Sequence, residues 1–95
     1  MAAPRLVFRI HAIRRMVQRD ITATDVREVL ANGEVIEAYA DDTPYPSRLA
    51  LGWRGNRPIH VVAADNRGAD ETIIITVYEP GTDQWEAGFR RRRGR

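Results

Sequence analysis

From Ile10 to Asp20 the apolar residues recur with the period of an α-helix. Ile10, Ala12, Ile13, Met16 and Val17 fall on one side, His11, Arg14, Arg15 and Gln18 on the other, and Arg19 at the border. The spacing predicts a first helix over residues 10–20, with its apolar side on the core and His11, Arg15 and Arg19 in a row along its exposed side. A second helix opens at a capping box, Thr22 as N-cap and Asp25 three residues on, with Ile21 and Val26 placed as a hydrophobic staple. Its core stripe is Val26, Val29 and Leu30, and Asn32-Gly33 supplies a residue tolerant of positive φ at its end.

After Gly33 the period falls to two, the mark of strands with one buried face. Strands are predicted over residues 34–40, 48–54, 58–65 and 71–79. They are separated by the proline-containing loop DDTPYP, a Gly55-Asn56 hairpin turn and a polar loop from Asn66 to Asp70, and Pro80-Gly81 ends the last. Two helices followed by four meandering strands predict an α+β fold, with two N-terminal helices packed on one face of a four-stranded antiparallel sheet. Simple alternation puts Ile73, Ile75 and Val77, with Ile59, Val61 and Ala63, on the helix-covered face. Thr72, Ile74, Thr76 and Tyr78, with His60, Val62 and Ala64, then form an open, partly polar face. Trp85 and Phe89, four apart, suit a short turn or extended segment anchored on the body.

Ninety-five residues suffice for one domain, read as residues 1–89, followed by an arginine-rich tail at 90–95. All fifteen basic residues are arginine; without the five in the tail, ten arginines face thirteen acids, so the body carries −3 and the tail supplies the basic balance. Such a tail reads either as a solvated disordered end or as a non-specific grip on a polyanion through Arg90, Arg91, Arg92 and Arg93. The chain has no cysteine, which excludes disulfides and thiolate metal sites and suits a reducing cytoplasm. No apolar stretch is long enough to span a membrane, and Met1 to Ile10 lacks the apolar region of a signal peptide. Two histidines and scattered acids show no ligand spacing, and there is no phosphate-binding glycine loop, so neither metal nor cofactor is expected.

Candidate chemistry is confined to a few side chains. His11 sits in the first turn of a helix, whose positive dipole end favours a neutral, proton-accepting imidazole, although an ordinary polar-face histidine fits the same pattern. His60 lies in mid-strand, where a half-buried histidine bonded to the sheet is an equal reading. Arg15 and Arg19 have the spacing to hold phosphate oxygens, and equally to pair with Asp20 or Glu28. Tyr78 and Thr76 present hydroxyls on the open face, where a tyrosine can stack on a base or pass a proton. Spacing alone describes an α+β domain with a polar face.

Four motifs in order add to that description: H-A-x-x-R-M-x-x-R from His11 to Arg19, D-I-T-x-x-D-V from Asp20 to Val26, P-I-H-V-V from Pro58 to Val62, and I-I-T-V-Y-x-P from Ile74 to Pro80. With them the chain, over roughly residues 8 to 86, resembles the domain-of-unknown-function 4258 family. The resemblance implies a fold similar to the barnase, colicin and RelE-type ribonucleases and a role as the toxin of a bacterial toxin-antitoxin pair. Its antitoxin is often of zinc-finger and helix-turn-helix type. His11, Arg15, Arg19, His60, Thr76 and Tyr78 match the family's polar motif positions. Where the family tends to have serine or threonine before the helix-one histidine, this chain has Arg9-Ile10, which removes an N-cap.

The expected activity is then a metal-independent endoribonuclease. His60 or His11 would draw the proton from a ribose 2′-OH, Tyr78 or the other histidine would protonate the leaving oxygen, and Arg15 and Arg19 would stabilise phosphate charge. RNA and an antitoxin are the expected partners. The alternatives are a non-catalytic module binding RNA or protein on its sheet face, and a homodimer formed through an exposed strand edge.

Overall fold

The elements read from the hydrophobic pattern are present, and one more strand precedes them. In the computed structural model, which describes residues 4–94, the order is β1 (Arg5–Phe8), α1 (Ile10–Arg19), α2 (Ala23–Asn32), β2 (Glu34–Tyr39), β3 (Ser47–Arg54), β4 (Arg57–Asn66), a 3-10 turn (Arg67–Ala69) and β5 (Glu71–Tyr78). The capping box forms: the Thr22 hydroxyl accepts from the Asp25 amide at 3.0 Å and the Asp25 carboxylate from the Thr22 amide at 2.9 Å. α1 begins at Arg9 with no side-chain cap and ends at Asp20 with φ 54, where Arg57 donates to the carbonyls of Arg19 and Asp20. A guanidinium there meets both the orphan carbonyls and the negative end of the helix dipole.

The fold is α+β, but the sheet is five-stranded and mixed rather than four-stranded and antiparallel. Its order is β1-β5-β4-β3-β2, and β1 runs parallel to β5 in the register Arg5↔Glu71 to Phe8↔Ile74. Leu6 and Phe8 alternate onto the helix-covered face and pack against the core there. β1 is four residues long and its partner lies 66 residues away, so no hairpin turn announces the pairing.

A bulge corrects the assignment of faces in β5. Val62 pairs with Thr76 but Ala63 pairs with Ile74, leaving Ile75 without a partner. One extra residue reverses the side on which every earlier side chain of the strand points. Ile74 and Val77, not Ile73 and Ile75, therefore join Ile59, Val61 and Ala63 in the core under the helices. Ile73 lies on the opposite face across from Ala64, whereas Thr76 and Tyr78, beyond the bulge, stay on His60's face as alternation predicts.

α2 lies close on β3 at Gly52, where a Cβ would stand 2.6 Å from Val29 Cγ2. α1 is rolled relative to its expected orientation. Only Ala12 is fully buried and Met16 is half-buried, while Ile10, Ile13 and Val17 of the supposed core side are 69, 47 and 78% exposed. Among the described residues no helix is long and apolar enough to cross a membrane.

Candidate functional site

The sheet face away from the helices is not open. After Pro80 the chain doubles back as a strap, held by the pairs Glu86 N to Arg91 O at 2.8 Å and Arg93 N to Gln84 O at 2.8 Å, with Gly88 and Phe89 in left-handed conformations at its tip. Trp85 and Phe89 anchor it as their spacing suggests. Trp85 is 1% exposed, with its ring edge-on to His60 at 4.4 Å between centroids, and Phe89 packs edge-on to Trp53 at 6.0 Å. The arginine run belongs to the same structure: Arg90 pairs with Glu34 at 2.5 Å, Arg92 with Glu37 at 3.3 Å, and Arg93 donates to the carbonyls of Thr82 and Trp85. A disordered end is thus corrected as far as Arg93, although Arg90, Arg91, Arg92 and Arg93 all remain solvent-exposed; Arg95 lies outside the described residues.

Under the strap His60 is fully buried with both ring nitrogens engaged. Nε2 lies 2.9 Å from the Phe89 carbonyl, which can only accept, so Nε2 carries the proton; Nδ1 then accepts from the Tyr78 hydroxyl at 3.2 Å. Burial depresses the His60 pKa, the Phe89 carbonyl pulls it up, and nearby Arg92 pushes it down again, so the ring stays neutral. Burial likewise raises Tyr78 above the usual tyrosine value, with Arg92 opposing.

Beside this pair is a second one. Glu37 and Tyr39 reach the same face from β2, across from Leu49 and Ser47. Arg92 Nε and Nη2 each donate to the Glu37 carboxylate at 3.3 Å, the Tyr39 hydroxyl donates to it, and the Arg92 guanidinium stacks over Trp85 at 4.7 Å. Burial pushes Glu37 up, but its bonds from Tyr39 and Arg92 outweigh this and hold it below the usual glutamate value. The Glu37 and Arg92 side chains remain 26 and 46% exposed, so this pair is within reach of a ligand while His60 is not. A carboxylate, a guanidinium and two phenols on one face can accept a proton, neutralise an anion and return a proton.

Residues 8–79 match the model of a family described as Domain of unknown function (DUF4258). The chain belongs to this family. No significant match was found among curated proteins or among solved structures. The DUF4258 region includes Glu37, Tyr39, His60, Thr76 and Tyr78, whereas Trp85 and Arg92 on the strap lie beyond it.

Of the six motif residues, the DUF4258 fold brings three together. His60, Thr76 and Tyr78 share the strap-side face. His11, Arg15 and Arg19 are exposed on α1, whose Met16 and Ala12 pack against the helix-side core, so the sheet stands between the two groups. Glu37 and Tyr39 were not legible as site residues, because β2 carries its own bulge between Val35 and Glu37 that shifts the register. Their spacing of two, placing a carboxylate and a phenol on one side of a strand, was the available signal. Among the described residues no three His, Asp or Glu side chains gather as a cation site.

Proposed function

We propose that this DUF4258 domain is an endoribonuclease acting by 2′-OH transphosphorylation, the toxin of a bacterial toxin-antitoxin pair, with its chemistry on the strap-side face. The observation that carries the reading is Glu37, held ionised between Tyr39 and Arg92 beside the Tyr78–His60 pair. Glu37 takes the 2′-OH proton, the resulting alkoxide attacks the adjacent phosphorus, and the 5′ oxygen leaves with the Tyr78 proton, giving a 2′,3′-cyclic phosphate and a 5′-hydroxyl. Arg92 turns from Glu37 to the phosphate oxygens. Losing that guanidinium makes Glu37 a stronger base at the moment a base is needed. Neutral His60, shielded from solvent, positions the Tyr78 ring.

Incubation of the full chain with RNA in EDTA tests this. Cleavage is expected, falling by about 10²- to 10⁴-fold in Glu37→Gln and Tyr78→Phe at unchanged far-UV circular dichroism. Cleavage that survives Glu37→Gln would sink the assignment. Growth arrest on induction, relieved by co-expressing a neighbouring gene, tests the toxin role separately. The engaged nitrogens of His60 and the strap over it favour a second reading, a non-catalytic RNA-binding module, for which salt-sensitive binding without cleavage is the outcome.

A further inference from the structure

We infer that α1 is a docking surface for an acidic amphipathic helix of a partner protein. Ile10, Ile13 and Val17 stand 69, 47 and 78% exposed. They are spaced three and then four residues apart, as the knobs of a two-helix seam are. They are not spare packing for this chain's own core, since Ala12 and Met16 make the helix's contacts with it. Exposed apolar residues in register on one helix are the pattern of an interface, whereas scattered ones are ordinary surface.

Charge specifies the occupant. α1 contains no acidic residue, and Arg14, next to Ile13, flanks the seam where coiled-coil pairs set partner choice. Many arginines elsewhere are matched: Arg5 with Glu71, Arg48 with Asp65, Arg54 with Asp25, Arg57 with Glu79, Arg90 with Glu34 and Arg92 with Glu37. Among the described residues no ion pair includes Arg14, Arg15 or Arg19, so on this helix three unmatched positive charges stand beside a row of exposed apolar residues. A second copy of α1 would set arginine against arginine; a helix with leucines in the seam and glutamates beside it answers both needs. The surface is on the far side of the sheet from Glu37 and Arg92, and the inference does not depend on the chemistry proposed there.

The test titrates the full chain into a labelled three-heptad peptide with leucine at its seam positions and glutamate flanking them. Saturable binding is expected, weakened about tenfold or more by Val17→Glu and weakened by added salt. In Arg14→Glu the loss should be restored by the same peptide with lysine in place of its glutamates. Val17 is exposed, so an unchanged thermal melt of Val17→Glu shows that folding is not the cause. Absence of saturable binding, or binding indifferent to Val17→Glu, overturns the inference. It is also overturned if sedimentation shows a self-associated chain that Val17→Glu dissociates, or if the substitution removes RNA binding and leaves the peptide bound.

Discussion

Acid should loosen this fold through one residue, His60, in a pH window of its own. In the folded chain a second proton has no place on the ring, because Nε2–H is committed to the Phe89 carbonyl and Nδ1 accepts from Tyr78. Burial holds the folded pKa below the ordinary 6.5, while the unfolded chain titrates near that ordinary value. Below it the unfolded state binds the extra proton and the folded state does not. The contribution is therefore complete above about 6.5 and is lost as the pH falls toward the folded value, at a limiting slope of about 1.4 kcal/mol per pH unit. Going from pH 7.5 to 5.5 should remove stability, by at most about 1.4 kcal/mol, the limit for a folded ring that takes up no proton in this range. Glu37 and Asp25, both held below their usual carboxylate values, are lost in a separate and more acidic window. Urea unfolding followed by tryptophan fluorescence at the two pH values measures the change. His60→Gln is the control, since its amide can donate to Phe89 and accept from Tyr78 without titrating. An equal fall in the parent and in His60→Gln would refute the reasoning, as would a parent whose stability does not change.

Two further outcomes follow from packing. Trp85→Ala removes the indole that seats the strap on His60 and should cost about 3–5 kcal/mol in urea unfolding, with faster amide exchange across the strap; a cost below 1 kcal/mol would mean the strap contributes little to stability. Gly52→Ala places a methyl 2.6 Å from Val29 Cγ2 and 3.0 Å from its Cα, and should cost about 1–3 kcal/mol. Part of that loss should return in the double variant with Val29→Ala, where thermal melts measure the coupling.

Local chemistry was readable where one stretch of chain settles it. The Thr22–Asp25 box fixes the start of α2 from four adjacent residues, and period-two alternation locates four strands. It also places His60, Thr76 and Tyr78 on one face, because the β4–β5 ladder is regular between His60↔Tyr78 and Val62↔Thr76. The bulge at Ile75 sits inside a run of β-branched residues from Thr72 to Val77, any of which could be the unpaired one. A helical wheel tells which side of α1 is apolar but not which part of that side touches the sheet, so Ile10, Ile13 and Val17 look like core residues until the sheet is in place. The match of Arg90 and Arg92 to Glu34 and Glu37 joins segments 56 and 55 residues apart, beyond any spacing rule.

The parallel pairing of β1 with β5 has a bearing on how the chain folds. A strand of residues 5–8 that can pair only with residues 71–74 cannot form its ladder until both helices and the β2–β4 meander lie between them. Closing so long a loop is entropically slow, and four residues of ladder return little for it. The helices and the antiparallel meander are therefore the natural nucleus, with β1 added last. Substitutions at Leu6 or Phe8 should accelerate unfolding while leaving the refolding rate nearly unchanged.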